Sequence, residues 1–391
     1  MSEIATRSDP ISIPHSELEA WRGEFPILAD RTYLNSCSLG ALSRRSMGYL
    51  EEYQRLWNTL GASAWYEPWM GRIAELRGHI AWLLSAPEAE VAFTPSVSAG
   101  LAAIASAIDY RERKRVVIAE LDFPTLGYQW LARRDLEVVR VPSDDGVGIP
   151  AERWGDYVDE RPAIVATSHV FYSSGYVQEL PAIARLAHDA GALFLVDGYH
   201  ATGQLEVDPR ALGADVYVSG PLKWLLGGPG LAYLWVREEL IAGLEPTVVS
   251  WFGAEDQFDF RAEELVLRAD AGRFSLGTPS VPTVYTALGG MEIVREIGIA
   301  AIAARVAALT EDLVVRLRDA GLELRAATDS RRRSGIVMVK HPEAAGVVDR
   351  LAAAGIIVDR RGEYVRISPH FYNTSAENVR CVRVLADGGY R

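Results

Sequence analysis

The chain contains little lysine, little cysteine and no long apolar run. Of its 40 basic side chains only three are lysines, Lys114, Lys223 and Lys340, and its cysteines are Cys37 and Cys381 alone. Two cysteines provide neither a disulfide framework nor a clustered metal site, so no metal is expected. The N-terminal stretch MSEIATRSDPISIPHSELEAWRGEF has no apolar signal core, and no segment reaches the ~20 apolar residues that cross a bilayer. No membrane partner is therefore expected, and the chain reads as cytoplasmic. With 52 acidic residues against 40 basic ones the formal net charge is -12, without a basic stripe, so nucleic acid is not an expected partner. No GxGxxG follows an early strand, which argues against a nucleotide-binding dehydrogenase. Repeats, low-complexity stretches and long linkers are also missing.

What is present is an α/β pattern. A chain of 391 residues, 49% hydrophobic, can bury a large core and is expected to form two domains, one of them built from both chain ends. The runs VVIAE, AIVATS, LFLVD, VYVSG and LAYLWV alternate with helical stretches such as PAIARLAHDAG, which predicts a mostly parallel sheet covered on both faces. Beyond about residue 284 a long helical stretch, the strand GIVMVK, another helix and a strand around Arg366 read as a smaller α+β domain.

Arginine serves for almost every ordinary positive charge, so the placement of Lys223 in the glycine-rich stretch DVYVSGPLKWLLGGPG is informative. An amine can lose its proton and form a Schiff base, whereas a guanidinium cannot. Taken alone, Lys223 is equally well read as a solvated loop lysine, as Lys114 in RERKR and Lys340 after GIVMV are. Its surroundings favour chemistry. The run LFLV ends on Asp197 and DVYVS ends on Ser219, so two buried strands deliver an acid and a lysine to one sheet edge. A carboxylate there is costly unless it meets a cation or strong donor, and a protonated pyridine nitrogen is such a partner. A helix cap or turn acid before Gly198 is the plainer reading of Asp197. FTPSVSAGLAAIASAI reads as a strand end and turn opening into a helix, whose first amides suit an anion.

VDGYHATG followed by SGPLKWLLGGPG resembles the aminotransferase class V family of pyridoxal phosphate enzymes, which includes cysteine desulfurases, kynureninases and isopenicillin N epimerase-like proteins. The resemblance continues through YLNSCSLGAL, FTPSVSAGL, ELDFPTLGY, SHVFYSSGY, RFSLGTPSVP and VRISPHFYNT, in the family's order. It implies an α/β fold of the fold type I class of pyridoxal-phosphate-dependent transferases. A large domain at 30–270 would carry a seven-stranded mostly parallel sheet, and a smaller α+β domain would be built from 1–29 and 284–391. It also implies pyridoxal 5'-phosphate as cofactor, an amino-acid substrate and a homodimer with a shared active site.

Carried onto this chain, the resemblance makes Lys223 the Schiff-base lysine, Asp197 the partner of the ring nitrogen and His200 a polar group beside the ring. Val97, Ser98 and Ser219 would hold the phosphate, with Thr278 reaching over from the partner subunit. Phe123 would stack on the ring and Tyr172 would face its hydroxyl. Arg366 would grip the substrate carboxylate, while Arg360 and Arg361 read as solvated or supporting. Asn35 and Cys37 lie where the family's N-terminal loop approaches the substrate, and an ordinary turn is an equal reading of both. RAATDSRRRSG and VDRRGEYVR lack the cysteine that persulfide-forming desulfurases carry there, and Cys37 comes from the other end of the chain. Ala254 stands where kynureninases have a histidine, and Leu222 replaces an aromatic or histidine before the lysine. The expected reaction is β-lyase cleavage of a C–S or C–C bond in a modified amino acid such as a cysteine conjugate. The alternatives are transamination, epimerisation and decarboxylation, or a non-catalytic protein that keeps the fold for binding.

Overall fold

A computed structural model describes residues 15–387, so the first part of the 1–29 segment, with the N-terminal stretch read for targeting, and residues 388–391 lie outside the described residues. A short strand β1 (Thr32–Tyr33) precedes the main sheet, whose strands are β2 (Val91–Thr94), β3 (Arg115–Ala119), β4 (Glu137–Val141), β5 (Pro162–Ser168), β6 (Leu193–Asp197), β7 (Val216–Ser219) and β8 (Ala232–Val236). Their order is β2-β8-β7-β6-β5-β3-β4, and only β8 runs against its neighbours. This is the expected seven-stranded, mostly parallel sheet.

The sheet is buried on both sides because its strands are apolar at successive positions, and a pleated strand sends those positions to alternate faces. Val117, Val165, Val196 and Tyr217 enter one core cluster, while Ile118, Ile164, Leu195 and Val218 enter the other. Parallel strands share a carboxyl edge, and that edge receives Ser168 from β5, Asp197 from β6 and Lys223 from the loop after β7. Open α/β sheets bind ligands at this edge.

A second sheet is wholly antiparallel, in the order β12-β13-β10-β9, from β9 (Leu324–Arg325), β10 (Val337–Lys340), β12 (Asp359–Arg361) and β13 (Tyr364–Ile367). It has its own apolar cluster, including Val339, Val365, Leu351 and Cys381. The remaining strand, β11 (Ile356–Ile357), pairs with β1, which fastens the N-terminal segment to this unit. The closing helix Ser375–Ala386 starts in a capping box between Thr374 and Glu377.

Candidate functional site

Three chain segments meet at the carboxyl edge of the main sheet. The loop LNSCSLG lies between the lysine loop and the segment RISPHFY: the Cys37 amide donates to Ser368 Oγ at 3.0 Å, the Ser36 and Tyr372 hydroxyls are 2.9 Å apart, and the Gly40 amide donates to the Leu222 carbonyl at 2.9 Å. From the far side, His370 Nε2 lies 3.0 Å from the Trp224 carbonyl. Leu226, three residues after Lys223, is held at φ 61°, in a region that costs a non-glycine residue about 1–3 kcal/mol. The lysine loop is thus gripped from both ends of the chain, and the site depends on the whole fold.

Below it is a cavity of about 380 Å³ lined by residues from every one of these segments. Lys223 Nζ sits 2.9 Å from His200 Nε2 and 4.4 Å from the centre of the Tyr199 ring. Burial pushes the Lys223 amine down to about 8, against the pull of nearby Asp197, and lowers His200 well below its ordinary value. A neutral imidazole accepts from the amine through Nε2, which leaves its hydrogen on Nδ1, a buried atom with no protein partner among the described residues. Asp197 is also buried, and burial raises its carboxyl, opposed by one hydrogen bond from the Tyr199 amide at 2.9 Å and by the Lys223 charge.

The opposite wall is cationic. Arg366 donates to Asp359 through Nε at 2.9 Å and Nη2 at 2.6 Å, and Ser38 Oγ accepts from Arg366 while donating to Asp359. Burial works to raise Asp359, but the Arg366 fork and Ser38 outweigh it and hold the carboxyl below its ordinary value.

Of the residues singled out from the sequence, Cys37, Val97, Ser98, Phe123, Tyr172, Asp197, His200, Lys223 and Arg366 line this one cavity. Ser96 caps the helix Val97–Ala107 by accepting from the Ala99 amide, so the helix opens onto the cavity. Phe123 and Tyr172 meet edge to face with ring centres 5.2 Å apart. Three residues are not in the lining. Asn35 stands behind Cys37, its Oδ1 at 3.8 Å from the thiol sulfur. Ser219 is fully buried against the Tyr233 hydroxyl, without a well-formed bond to it. Thr278 is exposed and away from this chain's cavity.

The second sheet positions two of the residues read from the sequence. Arg361, read as solvated or supporting, has a side chain that is 41% exposed and in contact with Asp359, and it also lines the cavity, because its place on β12 sets it two residues from Asp359 on the same face of the strand. Cys37, placed from the sequence where the N-terminal loop approaches the substrate, lines it too, because β1 pairs with β11 and brings that loop to the lysine.

Several residues were missed. Tyr199 lies inside the motif that was read, next to Asp197 and His200. Asp122, directly before Phe123, is buried and accepts from the Ala119, Ser168 and Thr167 donors; its carboxyl is raised by burial to about 7. Nothing in DFPT alone distinguishes this acid from a surface turn residue.

The arrangement fits the pyridoxal phosphate that the resemblance implies. Asp197 has one oxygen that makes no hydrogen bond among the described residues, and a helix start and a desolvated amine line the same cavity. Comparison with known proteins agrees. The sequence pattern of "Aminotransferase class-V" matches residues 43–384. The chain is 34% identical over 368 residues to the "Uncharacterized aminotransferase YcbU" of Bacillus subtilis (strain 168), covering 94% of this chain and 97% of that one. It is 28% identical over 381 residues to a kynureninase of Geobacillus thermodenitrificans (strain NG80-2), covering 93% and 89%. In three dimensions it is similar to the cystine C–S lyase C-DES, solved in complex with its product cysteine persulfide, with a TM-score of 0.85, 21% identity and coverage of 93% and 100%.

Proposed function

Because the chain belongs to the aminotransferase class-V family, whose enzymes depend on pyridoxal phosphate, we propose that it is a β-lyase that cleaves a C–S or C–C bond in a modified amino acid, cysteine conjugates first. The observation that carries this reading is the 2.9 Å contact between Lys223 Nζ and His200 Nε2 inside a cavity that also holds Asp197 and Arg366.

When bound, the cofactor supplies an electron sink for negative charge that develops on the substrate's α-carbon. Lys223 holds the cofactor and, once released, moves the α-proton; its lowered basicity makes the neutral amine accessible near neutral pH. His200 accepts from that amine and sets its direction. Asp197 would hold the ring nitrogen and Phe123 would stack on the ring. Val97, Ser98 and the helix they begin would hold the phosphate, with Ser219 and the Thr278 of a second copy as further donors. Tyr172 would face the ring hydroxyl, and Asn35, behind Cys37, would back the N-terminal loop where it approaches the substrate. Arg366 presents a guanidinium already oriented by Asp359 to the substrate carboxylate. Leu222 and Val170 give the reacting end an apolar wall.

The same reading holds the protein to be a homodimer located in the cytoplasm; among the described residues no helix is long and apolar enough to cross a membrane. It divides the chain at 30–270 and at 1–29 with 284–391. The separate antiparallel sheet supports a second unit, while the helix Val281–Ile297, within which the 284 boundary falls, packs on the helix Arg44–Leu60 and into the core of the larger unit.

A persulfide-forming route is disfavoured although Cys37 lines the cavity. A thiol that passes sulfur onward must reach an acceptor, whereas Cys37 has no solvent exposure and its amide is tied to Ser368. The name of the Bacillus subtilis relative favours a second reading, transamination, and epimerisation or decarboxylation of the same bound substrate belong with it.

Mass spectrometry of the products formed from S-substituted cysteines and kynurenine separates these readings. Pyruvate with ammonia, or alanine, supports β-cleavage. An intact keto acid, an epimer or a decarboxylated product overturns it.

A further inference from the structure

The hairpin of β12 and β13 places three charged side chains on one face. Asp359 is the direct cross-strand partner of Arg366, and Arg361 follows Asp359 by two residues, so all three project to the same side. The hairpin turns through Gly362 at φ 57°, which puts Arg361 at the strand's end. Both arginines line the cavity that holds Lys223.

One carboxylate serves two guanidinium groups here. Asp359 receives Arg366 through both oxygens and also Ser38, and Arg361 Nη1 lies 3.2 Å from its Oδ2. That same Nη1 donates to the Arg360 carbonyl. The side chain of Arg361 is 41% exposed, against 2% for Arg366. A guanidinium has donors on three nitrogens, and among the described residues Nε and Nη2 of Arg361 make no hydrogen bond, which leaves them for a ligand in the cavity. The buried arginine is fixed in place, while the outer one keeps its reach.

We propose that Arg361 is a specificity-determining residue that selects amino acids carrying a second anionic group at the end of the side chain. This rests on the reading of the site as one for amino acids, with Arg366 on the α-carboxylate. The chemical class is a dianionic substrate, such as a cysteine whose sulfur bears a carboxylate-terminated substituent. The apolar wall of Val170 and Leu222 suits the methylene and sulfur between the two anionic ends.

The test compares S-carboxymethyl-cysteine with S-carbamoylmethyl-cysteine, which have nearly the same shape and differ in charge, on the cofactor-loaded enzyme, by kcat/KM where the C–S bond is cleaved and by calorimetric titration where it is not. A charge-assisted fork predicts a preference of about tenfold or more for the carboxylate, and a ratio near one in Arg361→Gln. No preference on the unaltered enzyme overturns the proposal, as does a preference that survives Arg361→Gln or the absence of binding by either compound. Recovery of the bound compounds with their C–S bonds intact would overturn the lyase reading and leave the affinity ratio as the measure of Arg361.

Discussion

Lys223 Nζ and His200 Nε2 lie 2.9 Å apart in a site where burial holds the imidazole neutral and brings the amine down to about 8. This contact supports the proposed role of Lys223 in moving the α-proton near neutral pH, since the amine needs to lose its proton only at its lowered value and not at 10.5.

The scarcity of lysine makes this directly measurable. In cofactor-free protein carrying ¹³C-methylated lysines, the Lys223 signal should titrate near 8. Lys340, paired with Glu323, should titrate above its ordinary value of 10.5. A Lys223 signal that titrates with Lys340 would mean that the amine is solvated.

The same shift makes Lys223 costly to the fold. Its folded value is below its unfolded one, so between about 8 and 10.5 the unfolded chain binds the proton and the folded chain does not, and stability rises with pH across that window. Below about 8 the full penalty applies, roughly 3 kcal/mol for a change from 10.5 to about 8. Cofactor-free Lys223→Met should therefore resist urea better than the parent at pH 7, with the advantage shrinking as pH rises to 10.5. An advantage that is absent or independent of pH would contradict the assignment.

Arg366→Lys should retain charge and lose the fork to Asp359 and to a substrate carboxylate. About a hundredfold loss in kcat/KM is expected, mostly as a higher KM, from the ~1.5–3 kcal/mol of a charged hydrogen bond. Steady-state kinetics would show otherwise if kcat alone fell.

Much of this site was legible in the sequence, because Lys223, Asp197 and His200 sit at fixed offsets on two strand ends that converge through parallel pairing of β6 with β7. That Arg361 also lines the cavity was not legible, because it gets there through the pairing of the second sheet, a contact set by the hairpin register. A run of arginines such as VDRRGEYVR does not reveal which of its members faces inward until the register of the hairpin is known. Asp122 was missed because burial, and not residue type, gives it its character.

Gly40→Ala should damage the site without touching a reactive group. Its new Cβ would run into the Lys223 carbonyl oxygen and lie 2.8 Å from Leu226 Cα, both of them backbone atoms that cannot step aside cheaply. A loss of about 1–3 kcal/mol in thermal or denaturant unfolding is expected, together with weaker cofactor retention. Unchanged stability would show that the two loops are not in such close contact.

The most direct test of the account is where the cofactor is attached. After borohydride reduction of the cofactor-loaded protein and proteolysis, mass spectrometry should find the pyridoxyl group on the peptide containing Lys223, and on neither Lys114 nor Lys340. Attachment at another lysine, or equal retention by Lys223→Ala, would contradict it.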